Sequence, residues 1–452
     1  MKILMLAALL LCLPLVGFAQ QQTRKIFPYQ YKIDDLPNGL RLVTVPTDYP
    51  NLVALYIVVS TGSRNEVEPG RSGYAHFFEH LMFRGSRNFS ADARDLILKR
   101  AGASSNAYTS DDRTVYYEVF SKEDLPKVME MEGDRFKHLQ YTVEQYKTEA
   151  GAVRGEYDKN SANPISKLYE RLRETAFRRH TYAHTTMGYI KDIEDFPNQY
   201  DYSLEFFRRY YRPEYTTILL VGDVTPQTSL ALTKRYFGDW ERGNYTPDIP
   251  REPEQDAPRT AHVEWPNPTL PYLAVAFRGP AFSDTEKDKA ALDLLAAIAF
   301  GENSELYQRL VLKEQKVDFL STSFDDQVDP ELFVVFTRVK NPRDVDNVRE
   351  QILSTFARYR TELVPADRLE ATRSRARYGL ALSMNSSEAI ASTLAPYIAL
   401  RRTPEAHTRV FDIFQSVTPE DIRAAAARHF RDSNRTVVTL STKGGRQEGG
   451  ER

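Results

Sequence analysis

The pattern of apolar and polar residues divides the chain into strand-like runs and stretches with helical periodicity. In the first half, strands are predicted at 40–45, 52–60, 114–119 and 216–221, and helices at 92–100, 122–140, 143–160, 165–178 and 227–237. In the second half, strands are predicted at 272–277 and 332–339, and helices at 285–300, 344–359, 365–384 and 419–430. This mixture predicts an α+β fold with two domains, each a mostly antiparallel or mixed sheet with helices packed on one face.

The two halves also resemble each other in sequence, which predicts two homologous domains. Arg209-Tyr-Tyr-Arg212 and the apolar run after it return as Arg428-His-Phe-Arg431, again followed by an apolar run. Between the halves, several prolines interrupt any regular element. We therefore predict an N-terminal domain at 25–245, a linker at 246–260 and a C-terminal domain at 261–445.

The first residues have the features of a targeting segment. Lys2 precedes an apolar run, and Gly17-Phe18-Ala19 forms a small-x-small cleavage site, so residues 1–19 are predicted to be a signal peptide. The run of roughly 16 apolar residues is shorter than the ~20 that a bilayer span requires, so we expect no integral membrane span after cleavage. The protein is expected to be exported, either to the periplasm or as a secreted protein. A retained anchor and lipid attachment at Cys12 are the alternatives.

The charge balance bears on the class of partner. The 60 Lys and Arg residues are balanced by 62 Asp and Glu residues, which gives a formal net charge of −2. Nucleic acids and anionic membrane surfaces are bound by clusters of positive charge. We therefore expect no nucleic acid and no anionic membrane surface as a partner.

The segment His76-Phe-Phe-Glu-His80 carries the chemistry that we expect of this protein. Residues four apart share a helix face, so both imidazoles can bind one metal ion while Glu79 lies beside it. H-x-x-E-H is the inverted form of the H-E-x-x-H motif of zinc peptidases. A catalytic zinc has three protein ligands and an open position for water. We predict His76 and His80 as metal ligands and Glu79 as the catalytic base.

The internal repeat supplies a comparison for this motif. The sequence HFFEHLMF at 76–83 corresponds to DLLAAIAF at 293–300. The copy keeps the apolar positions and loses every metal-binding side chain. Packing of this helix therefore does not require the histidines and the glutamate, and we expect the C-terminal domain to lack a metal site.

From Leu36 to Trp240 the chain resembles the N-terminal half of the M16 peptidases, the family of insulinase, pitrilysin and the mitochondrial processing peptidase. The matching pieces include LPNGL at 36–40, GSRNE at 62–66, HFFEH at 76–80, GASSNAYT at 102–109 and VGDV at 221–224. The resemblance implies that Glu156 is the third ligand of one Zn²⁺ per chain. It also implies a supporting role for Glu149 on the same helix, and a clamshell of two domains around a closed chamber.

The same resemblance implies an activity, namely a zinc-dependent endopeptidase that hydrolyses peptides or unfolded polypeptides inside the chamber. In such proteins an edge strand pairs with the extended substrate, and Asn106 and Ala107 lie in the matching segment. A strand edge offers unpaired backbone groups, so it binds peptides with little demand on their sequence.

One part of the family pattern is missing from this chain. Family members commonly supply, from the C-terminal half, an arginine and a tyrosine that stabilise the oxyanion. The aligned positions here hold Val311 and Asp318, neither of which can donate such a hydrogen bond. We therefore expect this chain to be the catalytic subunit of a heterodimer whose homologous partner supplies the Arg/Tyr pair. A homodimer is one alternative, and a non-catalytic core or scaffold subunit of a processing-peptidase-like complex is another.

Overall fold

The computed structural model describes residues 26–443, so the predicted signal peptide at 1–19 lies outside the described residues. The chain forms two sheets, and each sheet has an apolar core against its own helices. Between residues 26 and 443, no helix has both the length and the apolar character needed to cross a bilayer.

The first sheet has six strands in the spatial order β1-β2-β6-β3-β5-β4. Its strands are β1 (Lys32–Asp35), β2 (Arg41–Pro46), β3 (Leu52–Val59), β4 (Ser104–Thr109), β5 (Thr114–Ser121) and β6 (Thr216–Gly222). β2 and β6 are parallel, and the other neighbours are antiparallel. The central strands β3 and β6 are rich in Val, Leu and Ile and are almost entirely buried, whereas β4 forms an edge.

The second sheet has five strands in the order β7-β11-β8-β10-β9. Its strands are β7 (Arg259–Trp265), β8 (Tyr272–Arg278), β9 (Val317–Ser323), β10 (Leu332–Val339) and β11 (Arg435–Thr442). β11 is parallel to β7 and antiparallel to β8. Apart from β1, the first sheet has the same order of strands, so the repeat in the sequence is also a repeat in topology.

Helices surround both sheets, and many begin with a side-chain cap. They are α1 (Tyr74–Leu81), α2 (Ala91–Arg100), α3 (Leu125–His138), α4 (Val143–Ser161), α5 (Pro164–Ala176), α6 (Ile190–Asp195), α7 (Tyr200–Tyr210), α8 (Pro226–Phe237), α9 (Asp288–Phe300), α10 (Glu305–Tyr307), α11 (Val345–Tyr359), α12 (Ala366–Ser383), α13 (Ser387–Arg401), α14 (Glu405–Ser416) and α15 (Pro419–His429). A π-helical turn continues α10 over Gln308–Lys313. Capping side chains accept a backbone N–H at the start of α2, α4, α5, α8, α13 and α15.

One helix of each half also packs on the sheet of the other half. Helix α13 of the C-terminal half lies on the first sheet, where Ile390, Leu394 and Ile398 join a core with β3 and β6. Helix α5 of the N-terminal half lies on the second sheet, where Leu168 and Leu172 join a core with β7 and β11. Because each sheet needs a helix from the other half to cover its second face, neither half has a complete core alone.

The predicted fold class is confirmed, and the strongly periodic elements occur where the sequence places them. The secondary-structure prediction did not include strands β1, β4, β7, β9 and β11 or helices α6, α7, α10, α13 and α14. The edge strand β4 has the mostly polar sequence SSNAYT, and the edge strand β9 (VDFLSTS) lacks clear alternation, so their pairing depends on a neighbouring strand rather than on local pattern. β7 begins at Arg259, within the segment predicted as a linker (246–260), because it pairs in parallel with β11 from the end of the chain.

Candidate metal centre

Helix α1, which carries the H-x-x-E-H motif, has a closely fixed start. Gly73 precedes it with a φ of 84°, and a Cβ atom there would lie 2.4 Å from the carbonyl oxygen of Met187. Only glycine satisfies both conditions. The buried carboxylate of Glu66 accepts hydrogen bonds from the N–H groups of Gly73 and Ala75, both at 2.6 Å. It thereby satisfies N–H groups that a helix start leaves unpaired, at the positive end of the helix dipole.

The structure brings His76, His80 and Glu156 together. Nε2 of His76 and Nε2 of His80 lie 3.7 Å and 3.6 Å from Oε2 of Glu156. The three potential ligand atoms all lie within 4.8 Å of one another, and no other such group of His, Cys, Asp or Glu occurs in the described part of the chain. Helix α1 presents both histidines on one face, and α4 packs beside it and presents the glutamate.

This set of donor atoms fits a zinc ion. Ligand atoms about 2.0–2.1 Å from a tetrahedral zinc lie about 3.3 Å from one another, which is close to the distances observed here. Two imidazole nitrogens and one carboxylate oxygen are also a known ligand set of catalytic zinc. All three side chains are half-buried, so the cluster is partly exposed to solvent.

His76 is in the protonation state that a metal ligand requires. Burial, together with the neighbouring His80, lowers the pKa of His76 to about 4, although Glu156 opposes this shift. The ring is therefore neutral at pH 7, with a lone pair available for a metal.

Glu149 supports His80 from the side away from the cluster. Oε2 of Glu149 lies 3.3 Å from Nδ1 of His80. A carboxylate oxygen accepts, so this contact favours the tautomer with the proton on Nδ1. This hydrogen bond raises the pKa of His80, an effect that burial opposes. In the neutral ring, Nε2 then carries the lone pair that can bind a metal, and this atom faces Glu156. Arg84 pairs with the other oxygen of Glu149, so the buried carboxylate is held from two sides.

Glu79 lies beside the three potential ligands. Burial raises the pKa of its carboxyl group; Glu156 adds to the shift, while Thr109 and His80 oppose it. Oε2 of Glu79 accepts a hydrogen bond from the hydroxyl of Thr109 at 2.5 Å. A raised pKa suits a group that takes up and returns a proton near neutral pH.

Asn106 and Ala107 lie in the edge strand β4, which contacts α1 and pairs only with β5 among the described strands. Oδ1 of Asn106 accepts a hydrogen bond from the N–H of Ala107 at 2.9 Å. Ala107 packs against the core on the α1 side of the sheet. The strand therefore runs next to the metal centre, and its pairing with a substrate stays a prediction.

The positions aligned with the family's arginine and tyrosine carry no hydrogen-bond donor. Val311 lies in the π-helical turn after α10. Asp318 lies in β9 and forms an ion pair with Arg338 at 2.6 Å. Neither side chain can donate to a substrate carbonyl.

Three residues around the centre were missed by sequence reasoning: Glu66, Arg84 and Thr109. Glu66 and Thr109 end the segments GSRNE and GASSNAYT, which served above only to recognise the family. Because both residues lie in segments that match the family, the sequence already suggested that they have a role at the site. Arg84 gave no signal, because a single arginine after a helix is common.

Comparison with known proteins assigns the chain to a class. Residues 41–189 match the family described as "Insulinase (Peptidase family M16)", and residues 199–376 match the one described as "Peptidase M16 inactive domain". Fold and site define a two-domain protein of the metallopeptidase type, and the chain belongs to peptidase family M16. The description of the second domain agrees with the absence of H-x-x-E-H from the C-terminal half.

Several relatives match over nearly their whole length. The zinc protease PqqE of Helicobacter pylori is 29% identical over 412 residues, which cover 90% of this chain and 91% of that protein. The probable mitochondrial-processing peptidase subunit beta of Schizosaccharomyces pombe is 25% identical over 421 residues, with 90% of each chain covered. The crystal structure of a protease from Helicobacter pylori matches with a TM-score of 0.85 and 28% identity, covering 91% of this chain and 99% of that one.

Proposed function

We propose that this protein is a zinc-dependent endopeptidase with one Zn²⁺ per chain, held by His76, His80 and Glu156, and with Glu79 as the general base. The observation that carries the proposal is the convergence of two imidazole nitrogens and a carboxylate oxygen beside a further buried carboxyl group. The zinc-protease relative from Helicobacter pylori supports it, since the similarity extends over 90% of this chain.

The residues of the chain have distinct tasks in peptide hydrolysis. When bound, zinc lowers the pKa of a coordinated water to about 7 and polarises a carbonyl oxygen. Glu79 accepts the proton of the attacking water and returns it to the leaving amine. Glu149 keeps the proton of His80 on Nδ1 and so keeps Nε2 available as a ligand. The edge strand β4, through the backbone at Asn106 and Ala107, holds the peptide in an extended conformation.

The proposal includes a partner subunit. Val311 and Asp318 cannot supply the oxyanion donors that the family takes from these two positions, and such a donor is worth about 10²–10³ in rate. A homologous M16 subunit that carries an arginine and a tyrosine would complete the site, as the subunit name of the Schizosaccharomyces pombe relative suggests. A homodimer with a weaker oxyanion site is the alternative. The signal peptide proposed at 1–19 would direct the protein to the periplasm or the exterior and would then be removed.

Zinc content and hydrolysis, measured together, test the catalytic proposal. The mature chain and its Glu79→Gln variant are purified, assayed for zinc by mass spectrometry, and incubated with unstructured fluorogenic peptides. We expect about one zinc per chain in both proteins and a loss of at least about 100-fold in kcat for the variant. Equal rates for the two proteins, or full activity after complete removal of zinc, would contradict the proposal.

Co-expression with a homologous subunit tests the partner. We expect the two chains to copurify and the pair to hydrolyse peptides at least about 10-fold faster than this chain alone. Equal rates with and without the second chain would favour the homodimer. A chain that binds zinc fully and remains inactive with every homologous partner would instead favour a non-catalytic core subunit.

A further inference from the structure

The hydrogen bond between Thr109 and Glu79 joins two parts of the proposed site. Glu79 lies on α1, and Thr109 is the last residue of the edge strand β4. Their atoms Oε2 and Oγ1 are 2.5 Å apart, and no other residue in 26–443 donates a hydrogen bond to this carboxylate. A short bond to an ionised acceptor is among the stronger hydrogen bonds in proteins. Among the described residues, Thr109 is thus the one hydrogen-bond donor that can fix how the Glu79 carboxylate is turned.

The neighbouring strand β5 fixes the position of Thr109. It pairs with Thr114 across the hairpin of β4 and β5, and the two hydroxyl oxygens lie 3.4 Å apart. The hydroxyl of Thr114 donates to the carbonyl oxygen of Thr61 at 2.9 Å. The turn between the strands is closed by a backbone hydrogen bond from Ser110 to Arg113 at 2.8 Å. The hydroxyl of Thr109 therefore has a defined position before any substrate binds.

The C-terminal half holds the same turn from the other side. Asp111 accepts a hydrogen bond from Gln327 of the C-terminal half at 3.1 Å, beside one from Arg173 of the N-terminal half at 3.0 Å. Asp112 accepts one from the backbone N–H of Val328 at 2.7 Å. Both carboxylates are buried, so these bonds are shielded from water. The half that has no metal ligands thus anchors the strand that ends at Thr109.

We propose that Thr109 is a positioning residue that orients the Glu79 carboxylate toward the attacking water and couples this orientation to the strand that holds the peptide. The inference rests on the proposed function, because it gives Thr109 a task only if Glu79 is the base. Without the hydroxyl, the Glu79 side chain can turn about its own bonds while the metal ligands stay in place. Misplacement of a reacting group by about 1 Å costs up to about 100-fold in rate.

Three variants separate this role from simple packing. Thr109→Val removes the hydroxyl and keeps the shape, whereas Thr109→Ser keeps the hydroxyl and removes the methyl group. Thr44→Val is the matched control, because Thr44 is a buried threonine in β2 of the same sheet whose hydroxyl has no hydrogen-bond partner among the described residues. All three proteins are assayed for zinc content, kcat and KM.

We expect Thr109→Val to lower kcat by about 10- to 100-fold with unchanged KM and zinc content. Thr109→Ser should stay within about threefold of the wild type, as should Thr44→Val. A wild-type kcat in Thr109→Val would overturn the inference. So would a Thr109→Ser variant as slow as Thr109→Val, since the methyl group rather than the hydroxyl would then matter.

A crystal structure of zinc-loaded Thr109→Val provides a readout that does not depend on activity. We expect the Glu79 carboxylate to be displaced by about 1 Å or more, or to occupy two orientations, while His76, His80 and Glu156 are unmoved. An unchanged Glu79 would overturn the positioning role even in an active enzyme. If the wild type hydrolyses no peptide, alone or with a homologous partner, the proposed function fails, but the position of Glu79 in this crystal still decides whether Thr109 orients it.

Discussion

Nδ1 of His80 lies 3.3 Å from Oε2 of Glu149, on the opposite side of the ring from the potential metal ligands. The two residues belong to adjacent helices, α1 and α4, so the contact fixes the ring where the helices pack. A hydrogen bond of this kind holds a histidine in the tautomer that leaves Nε2 free for a metal. Glu149 thus contacts the candidate metal centre through His80 without reaching the converging ligand atoms.

Removal of the Glu149 charge should weaken metal binding. We expect Glu149→Gln to lower zinc affinity by about 10- to 100-fold, as is typical when the partner of a metal-binding histidine is replaced. Competition with a fluorescent zinc chelator measures the change. Glu144→Gln, on the exposed first turn of the same helix, is the control and should bind zinc like the wild type. Equal affinities for the wild type and Glu149→Gln would show that the contact is not needed.

The start of α1 should tolerate no side chain at Gly73. Its φ of 84° and the 2.4 Å approach of a Cβ atom to the Met187 carbonyl oxygen lead us to expect that Gly73→Ala loses about 2–4 kcal/mol of unfolding free energy. Gly151→Ala is the matched control, because a Cβ atom at this position in α4 would meet no atom within 4 Å. It should gain about 0.5–1 kcal/mol. Urea unfolding measures the unfolding free energies of both variants. A Gly73→Ala variant as stable as the wild type would contradict this expectation.

The carboxylate of Glu66 should contribute to stability through the two N–H groups that it satisfies. Glu66→Ala leaves the N–H groups of Gly73 and Ala75 buried without that partner, and we expect a loss of about 1–3 kcal/mol. Glu66→Gln retains one acceptor oxygen and should lose less. Thermal and urea unfolding measure the stability of the wild type, Glu66→Gln and Glu66→Ala, which should decrease in that order. A Glu66→Gln variant less stable than Glu66→Ala would contradict the capping role.

Asp329 links the two halves and should make their stability depend on pH. Its Oδ2 accepts a hydrogen bond from Arg64 at 2.6 Å and lies 2.9 Å from Nε2 of His180. Burial raises the pKa of Asp329, but the hydrogen bonds from His180 and Arg64 outweigh this and lower it to about 2. An unfolded aspartate has a pKa of about 3.9. The stabilisation is therefore complete above about pH 4 and is lost as the pH falls through 2.

Asp329→Asn tests this dependence. We expect it to lower the free energy of unfolding by about 1–2 kcal/mol at pH 7, since part of the interaction is screened by solvent. The difference from the wild type should shrink between pH 4 and pH 2. Urea unfolding at a series of pH values measures it, with the exposed Asp346→Asn as the control. A difference that stays constant down to pH 2 would contradict the assigned pKa.

Much of the fold follows from local pattern, whereas its long-range pairings do not. Buried strands such as β3 and β6 are continuous apolar runs, so the sequence predicts them. The edge strand β4 has the polar sequence SSNAYT, and only its pairing with β5 makes it a strand. The exchange of α5 and α13 between the halves depends on which sheet face each helix meets. That is a property of the assembled core, which no single segment contains.

The candidate site, too, can be predicted only in part from local sequence pattern. The spacing of His76 and His80 within one helix predicts a metal-binding pair from the sequence itself. Glu156 lies on another helix, so only the family resemblance could suggest it as the third ligand. Glu66 accepts two hydrogen bonds at the start of α1, and Thr109 donates one to Glu79 from another element; no spacing rule reveals these contacts.

The position of bound zinc tests the central claim most directly. Crystals of the zinc-loaded protein can be measured above and below the zinc absorption edge, and the anomalous difference map locates the ion. We predict one peak per chain, about 2.0–2.2 Å from Nε2 of His76, Nε2 of His80 and an oxygen of Glu156. A stoichiometric zinc found at other side chains, or no peak between these three in protein shown to contain zinc, would contradict the account.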